Sequence, residues 1–71
     1  MEITVVVHQE GAGFWSEIDE LPGCFASGRT LSELREAVSE AIGLYLDEEP
    51  VGLGDRVLRP GRTTIEVEPA T

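Results

Sequence analysis

The segment IDELPGCFASGRTLSEL, residues 18–34, decides the fold. It compresses a strand end, a Leu-Pro-Gly turn, a short apolar strand and a helix start. Glu20-Leu21-Pro22-Gly23 breaks an extended run, because proline fixes φ and glycine permits φ > 0. Cys24 to Ser27 then read as a short strand. Thr30-Leu31-Ser32-Glu33 is a capping box, in which the Thr30 and Glu33 side chains satisfy each other's backbone amides. A sheet therefore hands over to a helix within these positions. Pro22-Gly23 reverses the chain, Cys24 fills space under the helix, and Gly28 ahead of Thr30 sets how the helix begins. The segment is architecture first.

Upstream, EITVVVHQ (2–9) is rich in β-branched residues and reads as a strand. Ile3, Val5 and Val7 share one face, with Thr4, Val6 and His8 on the other. Glu10-Gly11-Ala12-Gly13 signals a hairpin that returns through FWSEID. Matching the apolar faces sets Phe14, Ser16 and Ile18 beside Ile3, Val5 and Val7. Downstream, Leu31, Leu34, Val38, Ala41, Ile42 and Tyr45 form a stripe at helical spacing. Glu33, Glu36, Glu40 and Asp47 form an acidic ridge opposite it, with Gly43 near that polar side. Pro50 and the glycines at 52 and 54 are expected to end the helix. A loop through Arg56, Arg59 and Arg62 leads to a last strand, TTIEVE (63–68), which most simply returns beside the first and parallel to it. The expected class is α+β, in the order β-β-β-α-β: a four-stranded sheet with one helix packed on one face.

Seventy-one residues make a single domain, 1–71. A chain this short buries only about 60% of its unfolded surface, and oligomerisation is a common remedy for that thin core. No apolar run approaches a membrane span, and MEITVVVHQE has neither the basic flank nor the cleavage site of a signal peptide. With a single cysteine, an internal disulfide is excluded. A cytoplasmic protein is the expectation. Fourteen acids face five bases, all arginine, for a net charge of −9. Nucleic-acid binding depends on neutralising phosphates, so direct binding to DNA or RNA is not expected. The acidic balance suits a basic protein partner, although a merely solubilising surface has the same composition.

Few side chains offer chemistry. His8 is the sole histidine and lies on a strand face. Cys24 has no histidine near it in sequence to activate it, and Ser16 and Ser27 lack a nucleophile-elbow setting. Glu66 and Glu68 share a strand face and could meet His8 around a cation only if the register brought them together. No glycine-rich loop joins a strand to a helix in a phosphate-cradling arrangement. No catalytic residue, cofactor or metal is expected, and the chain does not read as an enzyme.

The run Phe14-Trp15-Ser16-Glu17-Ile18-Asp19-Glu20-Leu21-Pro22-Gly23-Cys24, followed by Ser27-Gly28-Arg29-Thr30-Leu31-Ser32-Glu33-Leu34, resembles the HicB-like antitoxin family. Ile42-Gly43-Leu44-Tyr45-Leu46 matches that family's helix ending, so the likeness spans residues 2 to about 48. Departures are Asp19 where proline is frequent, Arg29 for the usual acid, and Leu34-Arg35 for Glu-Ala. The resemblance implies a partial RNase H-like fold. RNase H chemistry needs a carboxylate in the middle of the first strand, where this chain has Thr4, Val5 and Val6. It also implies a partner: a small basic HicA-type toxin, an mRNA-cleaving ribonuclease whose active site the antitoxin covers. Many members add a C-terminal DNA-binding segment; here the last strand is followed closely by Thr71, and no separate DNA-binding domain is expected.

These readings converge on an antitoxin-like protein that binds and neutralises such a toxin. The alternative is an orphan acidic oligomeric module of the same fold with another protein or small-molecule ligand; a metal-dependent nuclease remnant is a third. Glu33, Glu36 and Glu40 are the expected partner-binding residues. Val6, Trp15 and Phe25, one from each of three successive strands on the outer face, are the expected interface of a homodimer or higher homo-oligomer.

Overall fold

The computed structural model describes residues 1–48, 51–54 and 56–69. Strand β1 (Glu2–Glu10) turns through Gly11-Ala12 into β2 (Gly13–Ile18), and β3 (Phe25–Gly28) follows the Leu-Pro-Gly turn. Helix α1 (Leu31–Leu46) comes next, then the two-residue β4 (Val51–Gly52), β5 (Gly61–Glu66) and the two-residue β6 (Glu68–Pro69). The main sheet has the order β3-β2-β1-β5, and β4 pairs separately with β6. This is the expected α+β architecture of four strands and one helix. The third strand begins one residue later than expected.

The hairpin register follows from burial. Val5 faces Ile18 and Val7 faces Ser16 across β1 and β2, so Ile3, Val5, Val7 and Ile18 all point inward. Ile3, Val5, Val7, Ile18 and Ile65 are buried in a single core with Leu34, Val38 and Ile42 of α1. Ser16 is buried as well, and its hydroxyl has no hydrogen-bond partner among the described residues.

The turn between β2 and β3 behaves as its residues require. Cys24 N–H donates to the Leu21 carbonyl at 3.0 Å, with Gly23 at φ +86. Proline at the second position and a positive-φ glycine at the third make a type II turn. Cys24 is buried in the core. At the other end of β3, an added Cβ on Gly28 would lie 2.6 Å from the Leu34 nitrogen and 2.9 Å from the Glu33 carbonyl carbon. The strand backbone therefore lies directly against the first turn of the helix, and only glycine permits it.

Thr30 is the N-cap, its hydroxyl oxygen accepting the Glu33 N–H at 3.1 Å. The reciprocal half differs from the capping-box expectation, because the Glu33 carboxylate accepts a hydrogen bond from the Thr30 hydroxyl at 3.5 Å. The helix stops through Asp47, which adopts the left-handed region at φ 55. Glu48 N–H bonds the Gly43 carbonyl and Asp47 N–H the Leu44 carbonyl, the paired bonds of a Schellman motif. Local capping thus ends α1 ahead of Gly52 and Gly54; Pro50 lies outside the described residues.

Two features of the helix stripe are corrected. Tyr45 is 48% exposed, whereas Gly43 is buried. A segment with no counterpart in the expected order also meets the helix: from β4 onward the chain runs back along α1. Ser39 Oγ donates to the Val51 carbonyl at 2.8 Å, and Arg35 donates to the carbonyls of Gly54 and Arg56. Arg35 and Ser39 lie one turn apart, so this side of α1 meets the returning strap. Val51, Leu53 and Leu58 of the strap are 6%, 3% and 1% exposed and join the core.

The strap also overturns the expected direction of the last strand. Having retraced the length of the sheet, the chain meets β1 at its far end, with Gly61 opposite Val7 and Glu66 opposite Glu2. Strand β5 is therefore antiparallel to β1, not parallel. It also ends at Glu66; Glu68 belongs to β6, and buried Val67 lies between them.

Gly28→Ala is expected to lower stability by about 1–3 kcal/mol, the usual cost of forcing extra atoms into a packed contact. Urea unfolding followed by circular dichroism checks this, and an unchanged midpoint would contradict the close approach.

Candidate functional site

Helix and strap cover the inner face of the sheet, so the outer face is the broad surface left open. Pairing places its side chains in rows. Phe25, Glu17, Val6 and Arg62 form one row across β3, β2, β1 and β5; Ser27, Trp15 and His8 form the next. Val6, Trp15 and Phe25 do share this face and come from three successive strands. They do not form a continuous band, because Glu17 stands between Phe25 and Val6.

The second row is tightly organised. The His8 and Trp15 rings stack with centroids 4.2 Å apart and planes at 21°, and Phe25 lies tilted at 6.5 Å from Trp15. His8 Nε2 and Glu17 Oε2 are 2.9 Å apart. With the carboxylate ionised, Nε2 is the donor. Trp15 Nε1 donates to Glu10 Oε2 at 3.2 Å. One indole face is thus covered by imidazole, and the indole N–H is taken by a carboxylate. Phe25 remains 63% exposed.

Further along the sheet, Glu20 continues the ladder that β2 leaves when it turns. Its carboxylate accepts the Thr4 N–H at 2.6 Å and the Thr4 hydroxyl at 2.9 Å, while Asp19 N–H bonds the Thr4 carbonyl. The Thr4 N–H bond holds the Glu20 carboxyl below its ordinary range. Arg62 pairs with Asp19 across β1, and the N-terminal amine pairs with Glu66 at 3.0 Å. Arg62 is thus the member of the 56/59/62 group seen in an ion pair among the described residues.

The structure separates the residues that a cation site would have needed. His8 sits opposite Trp15, whereas Glu66 sits opposite Glu2 at the other end of β1. Among the described residues no three His, Cys, Asp or Glu side chains converge as metal donors. Burial pushes the Cys24 thiol up, away from the thiolate a nucleophile needs. No helix among the described residues is long and apolar enough to cross a membrane.

Glu33, Glu36 and Glu40 are all exposed, as the ridge pattern requires. Since α1 packs on the inner face, Glu36 and Glu40 lie on the opposite side of the molecule from Trp15. Glu33 is different. It lines an open depression together with Glu10, Trp15, Ser27 and Arg29, where the end of β3 meets the helix start. Sequence reasoning missed Glu10, Ser27 and Arg29 here, because only the hairpin register and the Gly28 contact bring these distant positions together.

Similarity to known proteins adds one finding. The chain is 38% identical over 48 residues to a UPF0150 protein of Archaeoglobus fulgidus, a match covering 66% of this chain and 70% of that protein. No family model matches the chain. No solved structure matches it either.

Replacing Glu20 with Gln is expected to destabilise the protein at neutral pH and to do so less in acid. A carboxyl with a lowered folded-state pKa contributes stability above its ordinary value of 4.5, and that contribution is lost as pH falls through the folded value. Urea midpoints of both proteins at about pH 7 and about pH 3 measure the gap, and an equal gap at both would refute the charge-dependent role.

Proposed function

Because this chain belongs to the UPF0150 family and carries the HicB-like turn and helix pattern, we propose that it is an antitoxin-type protein. It binds a small basic HicA-type mRNA-cleaving toxin and covers that toxin's active site. The observation that carries this reading is the family likeness itself. The physical character of the surface supports it: a net charge of −9 complements a basic partner and speeds their encounter.

The surroundings of Ser16, Cys24 and His8 are compatible with a protein that acts by contact. Ser16 and Cys24 are in the core, and His8 is held between Trp15 and Glu17. The centre of β1 offers Thr4, Val5 and Val6 where a nuclease of RNase H type would place a carboxylate. Inhibition by contact asks for none of these groups. An acidic module of the same fold with a different ligand is the competing reading.

Coexpression with the basic product of a neighbouring reading frame separates the two. The expected outcome is copurification and restored growth of cells in which that product alone is toxic. A toxic product that neither copurifies nor is neutralised would refute the antitoxin reading.

The purified chain is expected to leave single- and double-stranded RNA intact with Mg²⁺ or Mn²⁺. Cleavage lost in the Glu66→Ala, Glu68→Ala double variant would instead establish an intrinsic nuclease.

A further inference from the structure

The open depression beside Trp15 has the composition of a cation seat. Trp15 is flanked on the sheet by His8 on β1 and Ser27 on β3. His8 covers one indole face by stacking. On the side away from β1, Ser27 is the cross-strand neighbour of Trp15 and lines the depression with it, and the Phe25 ring is tilted at 6.5 Å from the indole. Glu10 and Glu33 stand on the rim, Glu17 lies behind on the same sheet face, and Arg29 is the one base among them. Three carboxylates against one guanidinium leave this locality acidic around an aromatic surface.

We propose that this depression seats an arginine side chain of a basic protein partner. The inference deepens the reading of a basic partner and rests on it. A planar guanidinium stacks on an indole face while its edge donates to carboxylates, so aromatic floor and acidic rim serve one group. A lysine ammonium uses the charge but not the stacking.

Charge also decides against a second copy as the occupant. The outer face carries Glu2, Glu10, Glu17, Asp19 and Glu66 against Arg62 and the N-terminal amine. Packing two such faces together would set acids against acids within a molecule already at −9. The apolar residues Val6, Trp15 and Phe25 are therefore better matched by a surface that brings positive charge with it.

Trp15 is the only tryptophan, so its fluorescence reports the site directly. The full chain is titrated with a hexa-arginine peptide and a hexa-lysine peptide at low salt, with amide shifts followed in parallel by NMR. The expected result is tighter binding of hexa-arginine, a change in Trp15 emission, and shifts at Trp15, Ser27 and Phe25. Phe25→Ala, at an exposed position, is expected to weaken hexa-arginine binding about two- to fivefold without altering the circular dichroism. Glu36→Gln with Glu40→Gln, on the far side, is expected to leave the Trp15 response in place. Equal binding of the two peptides, with shifts confined to α1, would overturn the proposal. So would sedimentation showing a micromolar dimer that Phe25→Ala dissociates, since a second copy would then own the face. The two readings fail separately. Undiminished toxin neutralisation by Phe25→Ala removes the seat and leaves the antitoxin; an arginine-selective Trp15 response in a chain that neutralises nothing does the reverse.

Discussion

At Gly28 the backbone of β3 lies against the backbone of the first helical turn, at a distance that leaves no room for a Cβ. That contact fixes where α1 can sit. With its start pressed onto the edge strand, the helix makes its closest backbone approach to β3 and β2, while its side chains share one core with Ile3, Val5, Val7 and Ile65. The strap adds Val51, Leu53 and Leu58 to that core, each worth about 1.5–3 kcal/mol when fully buried. Arg35 and Ser39 fasten the strap to the helix through its carbonyls. The antiparallel placement of β5 follows, because a strap that has run the length of the sheet delivers the chain to the end of β1, not to its start.

The same geometry divides the surface into two unlike sides. The outward side of α1 carries the exposed Glu36 and Glu40. On the outer sheet face, carboxylates and rings are interleaved, and most carboxylates there have a defined partner: Glu17 with His8, Glu10 with Trp15, Asp19 with Arg62, Glu20 with Thr4. Held carboxylates lose little freedom when a cation arrives, whereas long exposed glutamates must be ordered first. This favours the sheet face for a lasting contact. The helix ridge is suited to long-range attraction, in which exposed rim charges act on association rate.

Much of the fold was legible in the sequence because it rests on local rules. The alternation of Ile3, Val5 and Val7 with Thr4, Val6 and His8 defines two faces regardless of what covers them. Leu21-Pro22-Gly23-Cys24 can scarcely avoid a type II turn, and Thr30 caps the helix with its own side chain. The outer-face residues were identifiable for the same reason, since strand parity places Val6, Trp15 and Phe25 together. Tertiary structure decided what no local rule addresses. Val51, Leu53 and Leu58 carry no strand or helix period, so nothing in their spacing announces a strap, and without the strap the last strand has no reason to run antiparallel. Helical periodicity marks one apolar face of α1, so it does not announce that Gly43 is buried and Tyr45 exposed, nor that Arg35 and Ser39 meet the strap. The depression beside Ser27 depends on register and on the Gly28 contact together, a juxtaposition of residues 10, 15, 27 and 33 that only the folded chain creates.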